Sequence, residues 1–212
     1  MLLKNAYVLN DDFEFQKEDL RIENGVFAEI GNFTEDGINA DGDYIIPGLV
    51  DIHMHGSVGY DCEDDDAAAL EKIAEYQAST GTTAFLATFS SIGHDTLIHA
   101  VKRAVQAHEK CFDGAHIAGI HMEGPYISKK YCGAMDLNSI REPNDEEITE
   151  VLDIAGDLLK IVSLAPETNG AIEFIDKYKE HFAISLAHTD ADFETGKRAI
   201  EHVASNITHT FN

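Results

Sequence analysis

Short apolar runs alternate with amphipathic stretches over most of this 212-residue chain, and this alternation limits its fold more than any other feature. After Pro47-Gly48 the alternation predicts strands near residues 49–55, 83–88, 117–123, 161–164, 183–188 and 207–209. It predicts helices at residues 67–79, 96–110, 145–158, 171–179 and 193–204, with Asn144 as the N-cap of the third. Strands that alternate with helices are typical of βα units around a parallel sheet, so we predict an α/β fold.

Residues 1–46 follow a different pattern, in which short or alternating apolar runs are divided by Asn-Asp, Asn-Gly and Asp-Gly turn signals. This pattern predicts a small antiparallel β unit ahead of the βα units. A (β/α)8 barrel needs eight strands and typically about 250 residues. The strands predicted after residue 47 are too few to close such a barrel, and we therefore expect that the chain stops before the fold is complete.

The charge and the cysteines narrow the classes of partner and the location. The chain has 39 Asp and Glu against 15 Lys and Arg, a formal net charge of −24, which repels phosphate backbones and anionic membranes. Its apolar stretches are short, and residues 1–10 lack the features of a signal peptide. Three cysteines without CxxC spacing predict neither a disulfide framework nor a cysteine zinc site. We therefore predict a cytoplasmic protein that binds neither nucleic acid nor membranes.

The segment Asp51-Ile52-His53-Met54-His55 is the first candidate site. Side chains alternate along a strand, so His53 and His55 point to the same face. Barrel active sites lie at the carboxyl ends of the strands, and two imidazoles there can chelate Zn²⁺, Fe²⁺ or Co²⁺. A pair of hydrogen-bonded core histidines would give the same pattern, and the HxH spacing alone does not decide between the two interpretations.

Three more predicted strand ends carry possible metal ligands, namely Glu123, His188 and His209. A carboxylate in a barrel mouth is costly to leave unpaired, and a metal ion would neutralise Glu123. Three protein ligands leave coordination positions free, as a catalytic metal site for amide hydrolysis requires. His121 shares the face of Glu123, and we predict that it orients a ligand or a water.

Each of these residues also has a structural interpretation. Glu123 taken alone is compatible with a surface loop, and either later histidine is compatible with a satisfied core residue. Four other histidines lie in or beside predicted helices without a partner on the same face, and we interpret them as solvent-facing: His94, His99, His108 and His202.

Taken together, the segments resemble one enzyme family. The sequence resembles the N-acetylglucosamine-6-phosphate deacetylases of the amidohydrolase superfamily over nearly the whole chain, at residues 47–56, 81–88, 121–126, 164–167, 187–190 and 208–212. The segments His-Met-Glu-Gly-Pro at 121–125 and Ala-Pro-Glu at 165–167 separate this family from other amidohydrolases better than HxH does.

This resemblance implies a small β-sandwich part at residues 1–46 and an incomplete metallohydrolase barrel of the (β/α)8 TIM type at residues 47–212. It implies hydrolysis of the acetamide of N-acetylglucosamine 6-phosphate to glucosamine 6-phosphate and acetate, a step of amino-sugar catabolism. A divalent ion (Zn, Fe, Co or Mn) would be held by Glu123, His188 and His209, and a second ion by His53 and His55. The family also implies a homodimer.

The resemblance further implies that the substrate lies near Ala134, Met135 and Asn212. The general-base aspartate of the family would lie beyond Asn212, so we expect no catalytic acid or base in this chain and no turnover by the chain alone. Many members have histidine or another polar side chain in place of Met135, and a thioether removes a hydrogen bond to a sugar hydroxyl.

Three alternatives therefore stay open at this point. The substrate could be N-acetylgalactosamine 6-phosphate or another N-acyl sugar, because Met135 departs from the family pattern. The protein could be another amidohydrolase, which acts on a cyclic amide, a purine or a dipeptide. It could also be an inactive fragment of a longer enzyme.

Overall fold

A computed structural model describes residues 1–110 and 112–211 of the chain. Contacts between Cα atoms divide the chain into two compact units, Met1–Gly48 and Leu49–Asn212. Within the described ranges, none of the helices combines the length and the apolar character that a membrane crossing requires.

One sheet of five strands forms the first unit: β1 (Leu2–Leu9), β2 (Phe15–Glu23), β3 (Val26–Gly31), β4 (Ile38–Asn39) and β5 (Tyr44–Ile45). β1, β2 and β3 pair antiparallel, as the turn signals predict. β4 and β5 both pair parallel with β1, which the sequence analysis missed. Each of these two strands has only two residues, and no alternating pattern can appear over so short a run.

The carboxylate of Asp19, in β2, contacts other segments of this unit. It accepts hydrogen bonds from the amides of Asn5 (2.8 Å) and Phe33 (2.9 Å), and it lies 2.7 Å from the ammonium of Lys4. The Lys4 contact and the two amides lower the pKa of Asp19 to about 2. This carboxylate is therefore ionised at all but strongly acidic pH.

A parallel sheet of six strands forms the second unit, in the order β13-β12-β11-β10-β9-β6. In chain order the strands of this unit are β6 (Leu49–Met54), β7 (Gly56–Ser57), β8 (Tyr60–Asp61), β9 (Thr82–Phe89), β10 (His116–Glu123), β11 (Leu159–Leu164), β12 (Ala183–Leu186) and β13 (Asn206–Ile207). β7 and β8 form a separate hairpin after β6. Neighbours in the main sheet follow one another along the chain, as in part of a (β/α)8 barrel, and the predicted fold class is confirmed.

Five helices connect the parallel strands: α1 (Ala69–Ser79), α2 (His94–Glu109), α3 (Asp145–Ala155), α4 (Ala171–Tyr178) and α5 (Phe193–Glu201). Asn144 caps α3 as predicted, because its side chain accepts a 2.9 Å hydrogen bond from the amide of Glu147. The predicted helix 145–158 is too long. The α-helix ends where Gly156 adopts a φ of 51°, and a 3-10 turn follows at Gly156–Leu158.

The core of the second unit lies between the sheet and the helices. Phe85 of β9 and Ile117 of β10 belong to the same buried cluster as Ile73 of α1 and Leu97 of α2. Because the six strands are parallel, their carboxyl ends share one edge of the sheet, and the loops that follow them meet there. This edge is the place where polar side chains can converge.

Candidate metal centre

Glu123, the last residue of β10, lies at the centre of a group of imidazoles. Its side chain is only 2% exposed. One oxygen, Oε2, lies 2.8 Å from Nε2 of His55. The other oxygen, Oε1, lies 2.6 Å from Nε2 of His209, 3.1 Å from Nε2 of His188 and 3.5 Å from Nε2 of His53. One buried carboxylate therefore contacts four histidines from three different segments of the chain.

These five side chains form two groups whose ligand atoms all lie within 4.8 Å of one another, His53 with His55 and Glu123, and Glu123 with His188 and His209. Imidazole nitrogen and carboxylate oxygen are the donors that zinc, iron and cobalt accept. Among the described residues, the buried Nδ1 of His53 has no hydrogen-bond partner, and Nε2 of the same ring contacts Glu123. The donor set fits a divalent cation, and sharing of Glu123 would allow two.

The electrostatics of the group favour a cation as well. Burial alone would raise the pKa of Glu123, but the hydrogen bonds from His188 and His55 outweigh it and hold that pKa below its usual range. The same hydrogen bonds raise the pKa of His55 and of His188. Burial lowers the pKa of His53. Glu123 is therefore ionised near neutral pH, with a negative charge that protons on the imidazoles or a metal ion can balance.

His53 and His55 reach Glu123 in the way that strand alternation predicts. His53 lies in β6 and His55 follows its last residue, and the centroids of the two rings are 5.2 Å apart. Met54, between them, is buried, and its backbone amide donates to Oγ1 of Thr88 at 2.9 Å.

His188 and His209 reach the carboxylate differently from the prediction. The strands predicted to end at residues 188 and 209 end at Leu186 and Ile207 instead. Each histidine lies two residues further on and has a positive φ, 46° for His188 and 56° for His209, which turns the chain out of the strand direction. A positive φ is uncommon for residues other than glycine, and nothing in a single sequence marks it at a histidine.

The ring of His188 is hydrogen-bonded on the side that faces away from Glu123. Its Nδ1–H donates a 2.8 Å hydrogen bond to the carbonyl oxygen of Tyr131, and its own carbonyl accepts one of 2.9 Å from the amide of Ser128. Nε2 is left to face Glu123. An open cleft of about 370 Å³ adjoins His188 and His209.

His121 lies beneath this group and contacts His53 rather than Glu123. Its Nδ1–H donates to the carbonyl of Ile52 at 3.0 Å, so its Nε2 must accept the 2.7 Å hydrogen bond from Oγ of Ser163. Burial lowers the pKa of His121 to about 4. The ring is therefore neutral, and its centroid lies 4.9 Å from that of His53.

Two of the three residues predicted near the substrate lie in the turns after the 3-10 helix Lys129–Tyr131. Ala134 is exposed, and Met135 is half-buried with its thioether accepting a 3.2 Å hydrogen bond from the amide of Ser91. Gly133, just before them, approaches the His188 ring so closely that a Cβ would lie 3.3 Å from Cε1. Asn212, the third, lies outside the described residues.

Sequence reasoning missed a buried carboxylate near this site. Glu147, in the first turn of α3, contacts Tyr126, Arg141 and His94. His94 was predicted to be solvent-facing, and its side chain is 44% exposed, but its Nδ1 also lies 2.9 Å from Oε2 of Glu147. A glutamate three residues after the N-cap Asn144 was visible in the sequence, but that spacing signals the start of a helix rather than a buried site.

His108 was also predicted to be solvent-facing, but the residue is only partly exposed. Its Nδ1–H donates a 2.8 Å hydrogen bond to the carbonyl of Ile117 at the start of β10. The partner lies on the neighbouring strand, and helical spacing alone gives no indication of such a contact.

Known proteins are similar to this chain in both sequence and fold. The sequence pattern of the amidohydrolase family matches residues 44–212. Over 172 residues the chain is 37% identical to the N-acetylglucosamine-6-phosphate deacetylase of Bacillus subtilis, a match that covers 79% of this chain and 43% of the relative. It is 28% identical over 212 residues to the N-acetylgalactosamine-6-phosphate deacetylase of Escherichia coli, covering 100% of this chain and 56% of the relative.

A similar solved structure is that of a mutant N-acetyl-D-glucosamine-6-phosphate deacetylase of Mycobacterium smegmatis in complex with N-acetyl-D-glucosamine-6-phosphate. The TM-score is 0.84 at 30% identity, and the match covers 100% of this chain and 56% of that one. The chain spans about half the length of the curated relatives it matches.

Proposed function

Because this chain belongs to the amidohydrolase family, we propose that the protein hydrolyses the acetamide of N-acetylglucosamine 6-phosphate to glucosamine 6-phosphate and acetate. The observation that carries the proposal is the buried Glu123, which has four imidazole nitrogens within 3.5 Å of its oxygens at the carboxyl edge of the sheet. The similarity to deacetylases of hexosamine phosphates supports the choice of substrate class. The activity is proposed for the whole protein, because the chain spans only about half the length of these relatives.

The family is metal-dependent, and we propose that Glu123, His188 and His209 hold one divalent ion of zinc, iron, cobalt or manganese. His53 and His55 would hold a second ion together with Glu123. A divalent ion bound with an open position polarises an amide carbonyl and lowers the pKa of a water to about 7.

The residues of this chain prepare the site in three ways. Glu123 supplies a buried negative charge, which the ions would neutralise. The contact with Tyr131 fixes the tautomer of His188, so that Nε2 faces inward. His121 packs its neutral ring against His53 and restricts how that ring can turn.

The identity of the sugar depends on the loop that carries Ala134 and Met135. The thioether of Met135 has no hydrogen to donate, and it already accepts the amide of Ser91, so it offers a sugar hydroxyl little. A site without this hydrogen bond would discriminate less between sugars, so N-acetylgalactosamine 6-phosphate is the second candidate substrate, and the similarity to a deacetylase of that sugar phosphate supports it. The active protein would be a homodimer, as in the family that the sequence resembles.

Metal content is the first test of this proposal. Elemental analysis of the purified chain should find a divalent metal that His188→Ala loses, whereas His53→Ala should lose only a second, weaker equivalent. His116→Ala, an exposed histidine at the opposite end of β10, is the matched control and should retain all metal. A wild-type chain without metal, or a control that loses as much metal as His188→Ala, would contradict the proposed metal site.

Substrate choice is tested by acetate release from the whole protein with the two N-acetylated hexosamine 6-phosphates side by side. Higher kcat/KM for the gluco epimer supports the first candidate, and higher kcat/KM for the galacto epimer supports the second. Release from neither of them, by a protein that contains metal, would favour another amidohydrolase reaction.

A further inference from the structure

Glu147 is a buried carboxylate outside the candidate metal centre, and donors from several segments converge on it. It is 5% exposed and accepts hydrogen bonds from the hydroxyl of Tyr126 (2.9 Å) and from the guanidinium of Arg141 (Nη2 at 2.6 Å, Nε at 3.1 Å). Nδ1 of His94 lies 2.9 Å away. Burial would raise the pKa of Glu147, but these donors, Arg141 first, hold it below its usual range.

Two of these donors stand at the two ends of one loop. Tyr126 follows the end of β10, and Arg141 precedes the N-cap of α3, so that residues 127–140 lie between them. The amide of Arg141 also donates to the carbonyl of Pro125 at 3.1 Å, and its Nη1 donates to the carbonyls of Ile92 (2.9 Å) and Ser139 (2.6 Å). Glu147 therefore fastens both ends of this loop to the first turn of α3.

The same loop carries the contacts that orient His188. The carbonyl of Tyr131 accepts from Nδ1–H, and the amide of Ser128 donates to the carbonyl of His188. Lys130 reaches the following turn, with Nζ 2.8 Å from both carboxylate oxygens of Asp190. His188 has a positive φ, a conformation that persists only where surrounding contacts hold it.

We propose that Glu147 is a positioning residue of the metal centre. By tying Tyr126 and Arg141 to one helix, it fixes the loop that presents the Tyr131 carbonyl, and this carbonyl holds the His188 ring with Nε2 toward Glu123. The inference rests on the proposed function, because it assigns that nitrogen to the metal ion. Residues that orient metal-ligating histidines typically change metal affinity about 10- to 100-fold when they are replaced.

The test uses Glu147→Gln and the milder Tyr126→Phe, which removes a single hydrogen bond at one end of the loop. The matched control is Asp145→Asn, which removes a charge from the same helical turn. The carboxylate of Asp145 contacts Tyr178 and Lys177 rather than the loop. Tyr126→Phe keeps the test valid if the Glu147 variant fails to fold.

The first readout is tryptic cleavage after Lys129 and Lys130, which lie in the loop. At a temperature where circular dichroism shows an intact fold, Glu147→Gln should be cleaved there at least about tenfold faster than the wild type, and Asp145→Asn should not. This readout needs no metal.

The second readout is zinc affinity, measured by competition with a chelator. Glu147→Gln should weaken zinc binding about tenfold or more, Tyr126→Phe less, and Asp145→Asn not at all. In a His188→Ala background, the zinc that remains would be held by His53, His55 and Glu123. Glu147→Gln should not weaken this remaining binding, because its effect passes through the His188 ring.

Unchanged zinc affinity in Glu147→Gln, or an equal loss in the His188→Ala background, would overturn the inference and leave the metal site standing. Failure of the wild-type chain to bind zinc, iron, cobalt or manganese would overturn the proposed function and the inference with it. An unchanged cleavage rate in both variants would show that Glu147 does not hold the loop.

Discussion

At Gly133, the addition of a single methyl group would test the geometry of the site. Its φ is 59°, and an added Cβ would lie 3.3 Å from Cε1 of His188. Gly170 also has a positive φ, 81°, but a Cβ there would meet nothing within 4 Å. The two glycines therefore share a backbone conformation that would strain an alanine, and only Gly133 adjoins a proposed metal ligand.

We expect Gly133→Ala and Gly170→Ala each to lower the free energy of unfolding by roughly 1–2 kcal/mol, because alanine is strained at positive φ. Only Gly133→Ala should also weaken zinc binding, by about tenfold, since the added methyl group displaces the His188 ring. Urea unfolding and chelator competition measure the two effects. Equal zinc affinity in the two variants would contradict the placement of Gly133 against His188.

At the residue scale, some features of the site were predictable from the sequence and others were not. The strand alternation of His53 and His55 and the position of Glu123 at the end of an apolar run follow from local patterns. The positive φ of His188 and His209 does not, because no local pattern marks it, and the loop carbonyl that contacts the His188 ring lies far away in the chain. The burial of Glu147 is likewise set by partners that tertiary folding brings together.

At the scale of elements, the helices and most of the parallel strands were predictable because each is long enough to show its period. The exception is β13, which has only two residues, and the strand predicted at 207–209 overlaps it at Ile207 alone. The two-residue strands β4, β5, β7 and β8 were not, since two residues define no period. Helix α2 was predicted to begin at 96 and begins at His94, whose ring contacts α3 through Glu147. Such a contact between helices has no local signal.

That contact predicts a pH dependence of stability. The hydrogen bond to Glu147 raises the pKa of His94 above its ordinary 6.5, so the folded state holds a proton that the unfolded state releases. The stabilisation is complete below pH 6.5 and is lost as the pH rises through the raised value. The unfolding free energy of the wild type, relative to His94→Gln, should therefore decrease from pH 6 toward pH 8, as urea unfolding would measure; an unchanged difference would contradict the contact.

A second dependence concerns β2. The pKa of Asp19 is lowered to about 2, so its stabilising contacts are complete above its ordinary pKa of 3.8 and are lost as the pH falls through the lowered value. The amide proton shifts of Asn5 and Phe33, followed by NMR, should therefore titrate with an apparent pKa near 2. These titrations should be absent in Asp19→Asn. A midpoint near 3.8 in the wild type would show that the three contacts do not hold the carboxylate.

At the scale of the whole molecule, a net charge of −24 and the buried group around Glu123 act on cations in different ways. The net charge attracts any cation weakly and is screened by salt over a Debye length of about 8–10 Å. We expect the group around Glu123 to be selective, because imidazole nitrogens favour transition metals over Mg²⁺ and Ca²⁺. Zinc binding should therefore persist at high salt, whereas nonspecific cation binding should not.

A metal that binds only the folded chain must also stabilise it. At a free zinc concentration of 100 times Kd, the linkage contributes about 2.7 kcal/mol, which raises Tm by roughly 5–10 °C for a chain of this size. Calorimetry should show that chelation with EDTA reverses the shift in the wild type and in His116→Ala. In Glu123→Ala, which removes the carboxylate shared by both ligand groups, zinc should produce no shift. A full shift in Glu123→Ala would mean that zinc binds elsewhere on this acidic chain.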